Sequence, residues 1–193
     1  HYPDSILHLE ESIKIKTTFL EPNHPDLAAI LMFIALNQLA LERFDDCMSS
    51  LLGVKRFRED AVGNTHPEIG LILNNIACVH YELGDSKRAE SLFQEALDLQ
   101  REAFTTEPTF LKSVSTLLSN IAFLHAKNGL FPKALIELEG ALQIQQEILC
   151  NEDNESDAIL ENIAHIMAIQ KMQHGSGNME EITNQYMTML MRR

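Results

Sequence analysis

His66-Pro67-Glu68-Ile69-Gly70-Leu71-Ile72-Leu73-Asn74-Asn75-Ile76-Ala77, running on through Gly84-Asp85 to Ala89 and Ala96-Leu97, is one copy of a pattern that the chain repeats. Its opening stands 42 residues earlier as His24-Pro25-Asp26. Small residues carry the register outward in both directions. Ala35, Ala77, Ala122 and Ala164 share one slot at spacings of 42, 45 and 42, and Cys47, Ala89, Ala134 and Ile182 share a second at 42, 45 and 48. Val54, Ala96, Ala141 and Met189 follow the second slot seven residues later. A period of this length, with apolar residues at helical spacing and no stretch that reads as a strand, is the signature of helix pairs stacked side by side. The expected fold is all-α, a solenoid of antiparallel helix pairs.

The array is expected to be one elongated domain over residues 1–193, since stacked repeats bury their apolar faces between neighbours and need no central core. Residues 3–20 match the second helix of a repeat whose first helix is missing, which implies further repeats upstream. Complete repeats are placed at 24–65, 66–107 and 108–150, with helix pairs near 26–41 and 44–62, 67–83 and 86–104, and 109–128 and 131–149. Residues 151–193 form a divergent repeat or cap, with a helix near 155–172 and a Met-rich helix from Met179 that ends in Arg192-Arg193. Pro25 and Pro67 open helices where a missing N–H costs nothing, so His24 and His66 read as structural. Gly84 and Gly129 mark the turns within two of the pairs.

With 28 acidic and 15 basic residues the chain carries a formal charge of −13, which argues against nucleic acid, whose binding needs clustered Lys and Arg. The most apolar run, Leu27 to Leu41, is interrupted by Asn37 and Gln38 and is too short to cross a bilayer, so no membrane insertion is expected. Cys47, Cys78 and Cys150 are widely spaced, which fits a reducing compartment and a cytoplasmic location.

Asn74-Asn75-Ile76-Ala77, Gly84, Ala89-Glu90 and Phe93-Gln94-Glu95-Ala96-Leu97, echoed by Ser119-Asn120-Ile121-Ala122 and by Lys133-Ala134 to Ala141-Leu142, resemble a tetratricopeptide repeat of the 42-residue kinesin-light-chain type. In the first complete repeat Met32, Phe33 and Glu42 occupy the slots of Asn74, Asn75 and Gly84. In the fourth, Lys171 stands at the glycine slot. The resemblance implies a right-handed superhelix whose first helices line a concave groove, and it implies protein or peptide binding there.

On that groove the helical period places Leu71, Asn74, Cys78 and Tyr81 in one repeat, Thr116, Ser119, Phe123 and Lys127 in the next, and Ala29, Met32, Leu36 and Leu39 in the first. Asn75, Asn120 and Asn162 recur in phase, with Asn74 beside the first. Their amides can both donate to and accept from a bound peptide backbone, or they can bond the neighbouring repeat and set its stacking. Both readings stand at this stage. Met32, Leu36 and Leu39 form an apolar docking surface or a face covered by further sequence. A two-carboxylate clamp needs cations one turn from the Asn residues, and instead Leu71 and Val79 flank Asn75, Thr116 and Leu124 flank Asn120, and Ala158 and Ile166 flank Asn162.

His80 and His125 share a slot but lack a third ligand in register, so no metal is expected. Cys78 has no base in register to make it a nucleophile, no Gly-rich phosphate loop is present, and neither enzymatic activity nor a cofactor is expected. The expected function is a non-catalytic adaptor that holds a protein segment in its groove. The alternative is a fixed subunit of a larger assembly, docked through its apolar ends.

Overall fold

The computed structural model describes residues 2–20, 24–102 and 108–148, together with positions 159, 163 and 166. Among these it forms α1 (Tyr2–Lys16), α2 (Pro25–Ala40), α3 (Phe44–Val62), α4 (Pro67–Glu82), α5 (Ser86–Glu102), α6 (Pro108–Lys127) and α7 (Phe131–Ile148), with no strand. Two compact units divide the chain, residues 1–113 and 114–193.

Several helix ends have an identifiable cause. At the starts of α2 and α4 the imidazole Nδ1 of His24 accepts the Asp26 N–H at 3.2 Å and that of His66 accepts the Glu68 N–H at 3.3 Å, with Pro25 and Pro67 just inside the helix. At the ends of the first helices the chain reverses through one motif used three times. The N–H of Arg43 reaches back to the Gln38 carbonyl at 2.9 Å, that of Asp85 to His80 at 2.9 Å and that of Leu130 to His125 at 2.8 Å. These long reversals require a left-handed residue just before the donor, supplied by Glu42 (φ 57°), Gly84 (φ 82°) and Gly129 (φ 75°). Asp85 then caps α5 by accepting the Arg88 N–H at 3.1 Å.

In the first unit, α1 packs on α2, α2 on α3, α3 on α4 and α4 on α5. The small-residue slots are where the helices close up: Ala35, Ala77, Cys47, Ala89, Val54 and Ala96 are all at most 2% exposed. The same slots are filled in the second unit by the buried Ala122, Ala134 and Ala141. Between the slots Leu51, Ile69 and Leu73 are fully buried, each stabilising the stack by about 1.5–3 kcal/mol.

At Gly70 α4 lies directly against α5. A Cβ there would stand 2.9 Å from the Ala96 carbonyl oxygen and 3.1 Å from Gln100 Nε2. Gln100 is buried and donates to the Pro67 carbonyl at 2.7 Å, tying the last turn of α5 to the first of α4. The second unit makes the equivalent joint differently. There Ser115 occupies the Gly70 slot, its hydroxyl donates to the Ala141 carbonyl at 3.1 Å, and it accepts from Gln145 Nε2 at 3.1 Å. In the earlier second helices the Gln100 slot holds Lys16 and Arg58, and each pairs with the first helix that follows it. Lys16 at the end of α1 holds Asp26 in the first turn of α2 at 2.8 Å, and Arg58 on α3 holds Glu68 on α4 at 3.4 Å.

The helix expected over 3–20 ends earlier, at Lys16. The Thr17 hydroxyl bonds the Ile13 and Lys14 carbonyls and the Thr18 hydroxyl bonds that of Ile15, while the Thr18 and Phe19 amides tighten to partners three residues back. Side-chain competition of this kind unwinds a helix end. Ile159, Ile163 and Ile166 are helical and buried, and the other positions of the helix expected near 155–172 lie outside the described residues. The Met-rich helix from Met179, Cys150 and the slots at Ala164, Ile182 and Met189 lie outside the described residues.

Candidate functional site

The outward line of each first helix is the candidate surface, because every other line is used in packing. On α2 this line runs Ala29, Phe33, Leu36, Ala40, and on α4 it runs Leu71, Asn75, Cys78, Glu82, with Met32, Leu39, Asn74 and Tyr81 half-buried beside it. Phe33 is 58% exposed, Leu36 41% and Leu71 37%. The two helices touch at one point on this surface, where Asn75 Nδ2 donates to the thioether sulfur of Met32 at 3.4 Å. Asn74 Nδ2 lies 3.5 Å from Asn75 Oδ1, at the limit of a hydrogen bond. Asn75 therefore does what the stacking reading requires, bonding the preceding repeat. Its amide lies half-buried at the edge of the apolar strip.

In the second unit α6 carries Thr116, Phe123 and Lys127 outward, with Phe123 61% exposed, while Ser119 and Asn120 are half-buried. The Ser119 hydroxyl is turned inward on its own helix, donating to the Ser115 carbonyl at 3.0 Å. Asn162 lies outside the described residues.

Phe33 is the surface residue that sequence reasoning passed over. It sits in the slot of Asn75 and Asn120, so the register that identified an Asn ladder also points to an aromatic at its first rung. Val79, one turn from Asn75, is fully buried and Leu71 is aliphatic, so the α4 surface has no cation to pair with a carboxylate.

The chemistry of acid, base and nucleophile is weak on this surface. Burial pushes the Cys78 thiol up to about 11, reinforced by the nearby Glu82 carboxylate, and burial does the same to Cys47, also to about 11. Both stay protonated and unreactive at neutral pH. His80 Nδ1 faces Asp85 of its own turn at 3.7 Å, and His125 is buried on α6. Among the described residues no group of three or more His, Cys, Asp or Glu could hold a metal ion, and no helix is long and apolar enough to cross a membrane.

Comparison with known proteins agrees with this architecture. A tetratricopeptide repeat profile matches residues 71–105, which cover most of α4 and all of α5. A kinesin-light-chain-type protein of Podosopora anserina with nearly identical TPR-like repeats superposes with a TM-score of 0.68 at 18% identity, over 99% of this chain and 88% of its own. BtubC (BKLC) of P. vanneervenii gives a TM-score of 0.72 at 15% identity, over 98% of this chain and 74% of its own. Aspartyl phosphate phosphatase F from Bacillus subtilis gives 0.66 at 19% identity over 97% of this chain, which spans only 44% of that protein. No curated protein matches the sequence. Residues 71–105 thus match a tetratricopeptide repeat, and the chain has an all-α TPR-like solenoid fold with kinesin-light-chain-like structural neighbours.

Proposed function

We propose that the chain is a non-catalytic adaptor that holds a segment of a protein partner against the outward line of its first helices. The observation that carries this reading is the exposure of Phe33, Leu36 and Leu71 on adjoining helices whose opposite sides are fully engaged in packing. A contiguous apolar surface of this kind is covered in use. In this reading Asn74, Asn75 and Asn120, and Asn162 by register, meet a partner backbone at its margin, Asn75 through the amide valences its bond to Met32 leaves over, while Cys78, Tyr81, Ser119, Phe123 and Lys127 supply side-chain contacts. The low nucleophilicity of both described thiols supports a binding role over a catalytic one, and these thiols fit a cytoplasmic setting.

The test compares partners captured by the wild-type chain with those captured by Phe33→Ser, Leu36→Ser and by a control pair on second helices, Leu52→Ser, Ile136→Ser. Loss of the same partners from the first variant alone supports the reading; equal retention by both variants overturns it. Adding Asn75→Ala, Asn120→Ala reports whether the amides take part.

A second reading, a fixed subunit docked through an apolar end, is favoured by one observation. On α1 and the turn after it, Leu7, Ile15 and Phe19 are exposed, Phe19 to 82%. A monodisperse monomer that binds no hydrophobic dye would count against it.

A further inference from the structure

The α2–α4 surface is apolar along its length and acidic at one end. Neither helix contains a Lys or an Arg anywhere in its sequence. The strip leads from Ala29, Phe33 and Leu36 on α2, and from Leu71 and Asn75 on α4, toward the C-terminal ends of both helices. Two exposed carboxylates stand there. Glu82 continues the outward line of α4 one turn beyond Cys78, close enough for its charge to act on that thiol. Glu42 follows the end of α2, where its N–H bonds the Leu39 carbonyl at 2.9 Å. Among the described residues no cation pairs with either carboxylate, although the neighbouring Asp26, Asp46 and Glu68 each have one.

Both carboxylates sit where the fold itself disfavours them. The C-terminal end of a helix is the negative end of its dipole, so a Glu there is repelled and a cation is attracted. Glu42 also holds a left-handed conformation at φ 57°, in the slot that the later repeats give to Gly84 and Gly129. Nothing in the described packing offsets these costs, and a cationic group brought by a partner would.

Resting on the adaptor reading above, we propose that the α2–α4 surface recognises a basic, apolar peptide segment, its aliphatic or aromatic side chains on Phe33, Leu36 and Leu71 and its Lys or Arg side chains on Glu42 and on Glu82. Acidic segments are disfavoured by the same arrangement, since they would meet two carboxylates and two helix C-termini, and the neighbouring Arg43 is already paired with Asp46. A formal charge of −13 on the whole chain steers a basic segment inward and adds salt dependence to its capture.

The test is fluorescence anisotropy of the full chain with two labelled probe peptides of equal length, one alternating Lys with Leu and Phe, the other with Glu in place of every Lys. The basic probe is expected to bind, with affinity that falls as salt rises, and the acidic probe to bind much more weakly or not at all. Glu42→Gln, Glu82→Gln is expected to weaken the basic probe roughly 2- to 30-fold, the effect of losing two exposed ion pairs. Phe33→Ser, Leu36→Ser should remove binding, with circular dichroism melts confirming that each variant is folded. Equal affinity for the two probes, or no change in the double Gln variant, overturns the proposed chemistry. If probe binding is nonetheless lost in Phe33→Ser, Leu36→Ser, the surface remains the site; if binding is indifferent to both variants, the adaptor surface itself lies elsewhere.

Discussion

Single residues set the spacing of the helices, and glycine does so in opposite ways at two positions. Gly53 on α3 has nothing within 4 Å of where a Cβ would be, whereas the Cβ of an alanine at position 70 would press on a backbone carbonyl at 2.9 Å. Alanine gains about 1 kcal/mol over glycine inside a helix, and overpacking a close contact costs about 1–3 kcal/mol. Gly53→Ala is thus expected to raise the urea midpoint and Gly70→Ala to lower it. The same scale governs the thiols. Because burial raises the folded-state pKa of Cys47 and Cys78 from about 9 to about 11, both are neutral below the unfolded value. Their contribution to stability is complete below about pH 9 and is lost as pH rises through about 11. Urea titrations of the wild type should show a loss across that window that is smaller in Cys47→Ala, Cys78→Ala. Alkylation of the native thiols at pH 7 should be slow and should speed up as pH rises. That Cys78 is an inert surface residue was legible in the sequence, from the lack of a base in register. The roles of Gly70, Gln100 and Ser115 were not, because one sequence does not reveal which faces of α4 and α5, or of α6 and α7, come within touching distance.

At the scale of elements, the repeat is held by its ends as much as by its faces. Among the described residues α2, α4 and α6 close with the same reversal, and of these three only α2 does so with a non-glycine residue. Glu42→Gly should relieve the left-handed strain and the repulsion from the dipole of α2, stabilising the chain by about 1 kcal/mol in denaturant titration. If Glu42 receives a partner's cation, the same variant binds the basic probe less well, so stability and binding move in opposite directions. The junction of α1 with α2 makes a different prediction. The hydrogen bond and charge of Lys16 hold the exposed Asp26 carboxyl below its ordinary value, against a small opposing effect of burial. Lys16→Met should return the Asp26 pKa upward toward the model-peptide range, read by the NMR shift of its side-chain carboxyl carbon. In the wild type this pair's stabilisation is present above about pH 3.9 and is lost as pH falls through the lowered folded value. The proline and turn chemistry of His24-Pro25, His66-Pro67, Gly84 and Gly129 was readable beforehand. The early end of α1 was not, since Thr17 and Thr18 fit a helix by apolar spacing and leave it by side-chain hydrogen bonding.

Across the whole molecule, charge and repetition decide what kind of partner is plausible. Acidic residues outnumber basic ones 28 to 15, and the described first helices of the first unit hold no Lys or Arg. Single- and double-stranded DNA oligonucleotides are therefore expected to show no salt-dependent binding, measured by anisotropy at low ionic strength. The sequence by itself determined the repeat, its register and its all-helical class, because a period of 42 to 45 residues and small residues in fixed slots are local regularities that any stacked helix pair must satisfy. The helical period placed Ala29, Leu36, Leu71 and Cys78 on the outward line but took Met32, Leu39, Asn74 and Tyr81 for it where the structure has Phe33, Ala40, Asn75 and Glu82. Only the tertiary structure decided that Asn75 is spent on Met32, that Phe33 and Leu36 stand open, and that Glu42 and Glu82 end the strip without a cation. Those outcomes depend on how neighbouring helices are rotated and spaced, and that geometry arises from side chains distant in the sequence meeting in the fold.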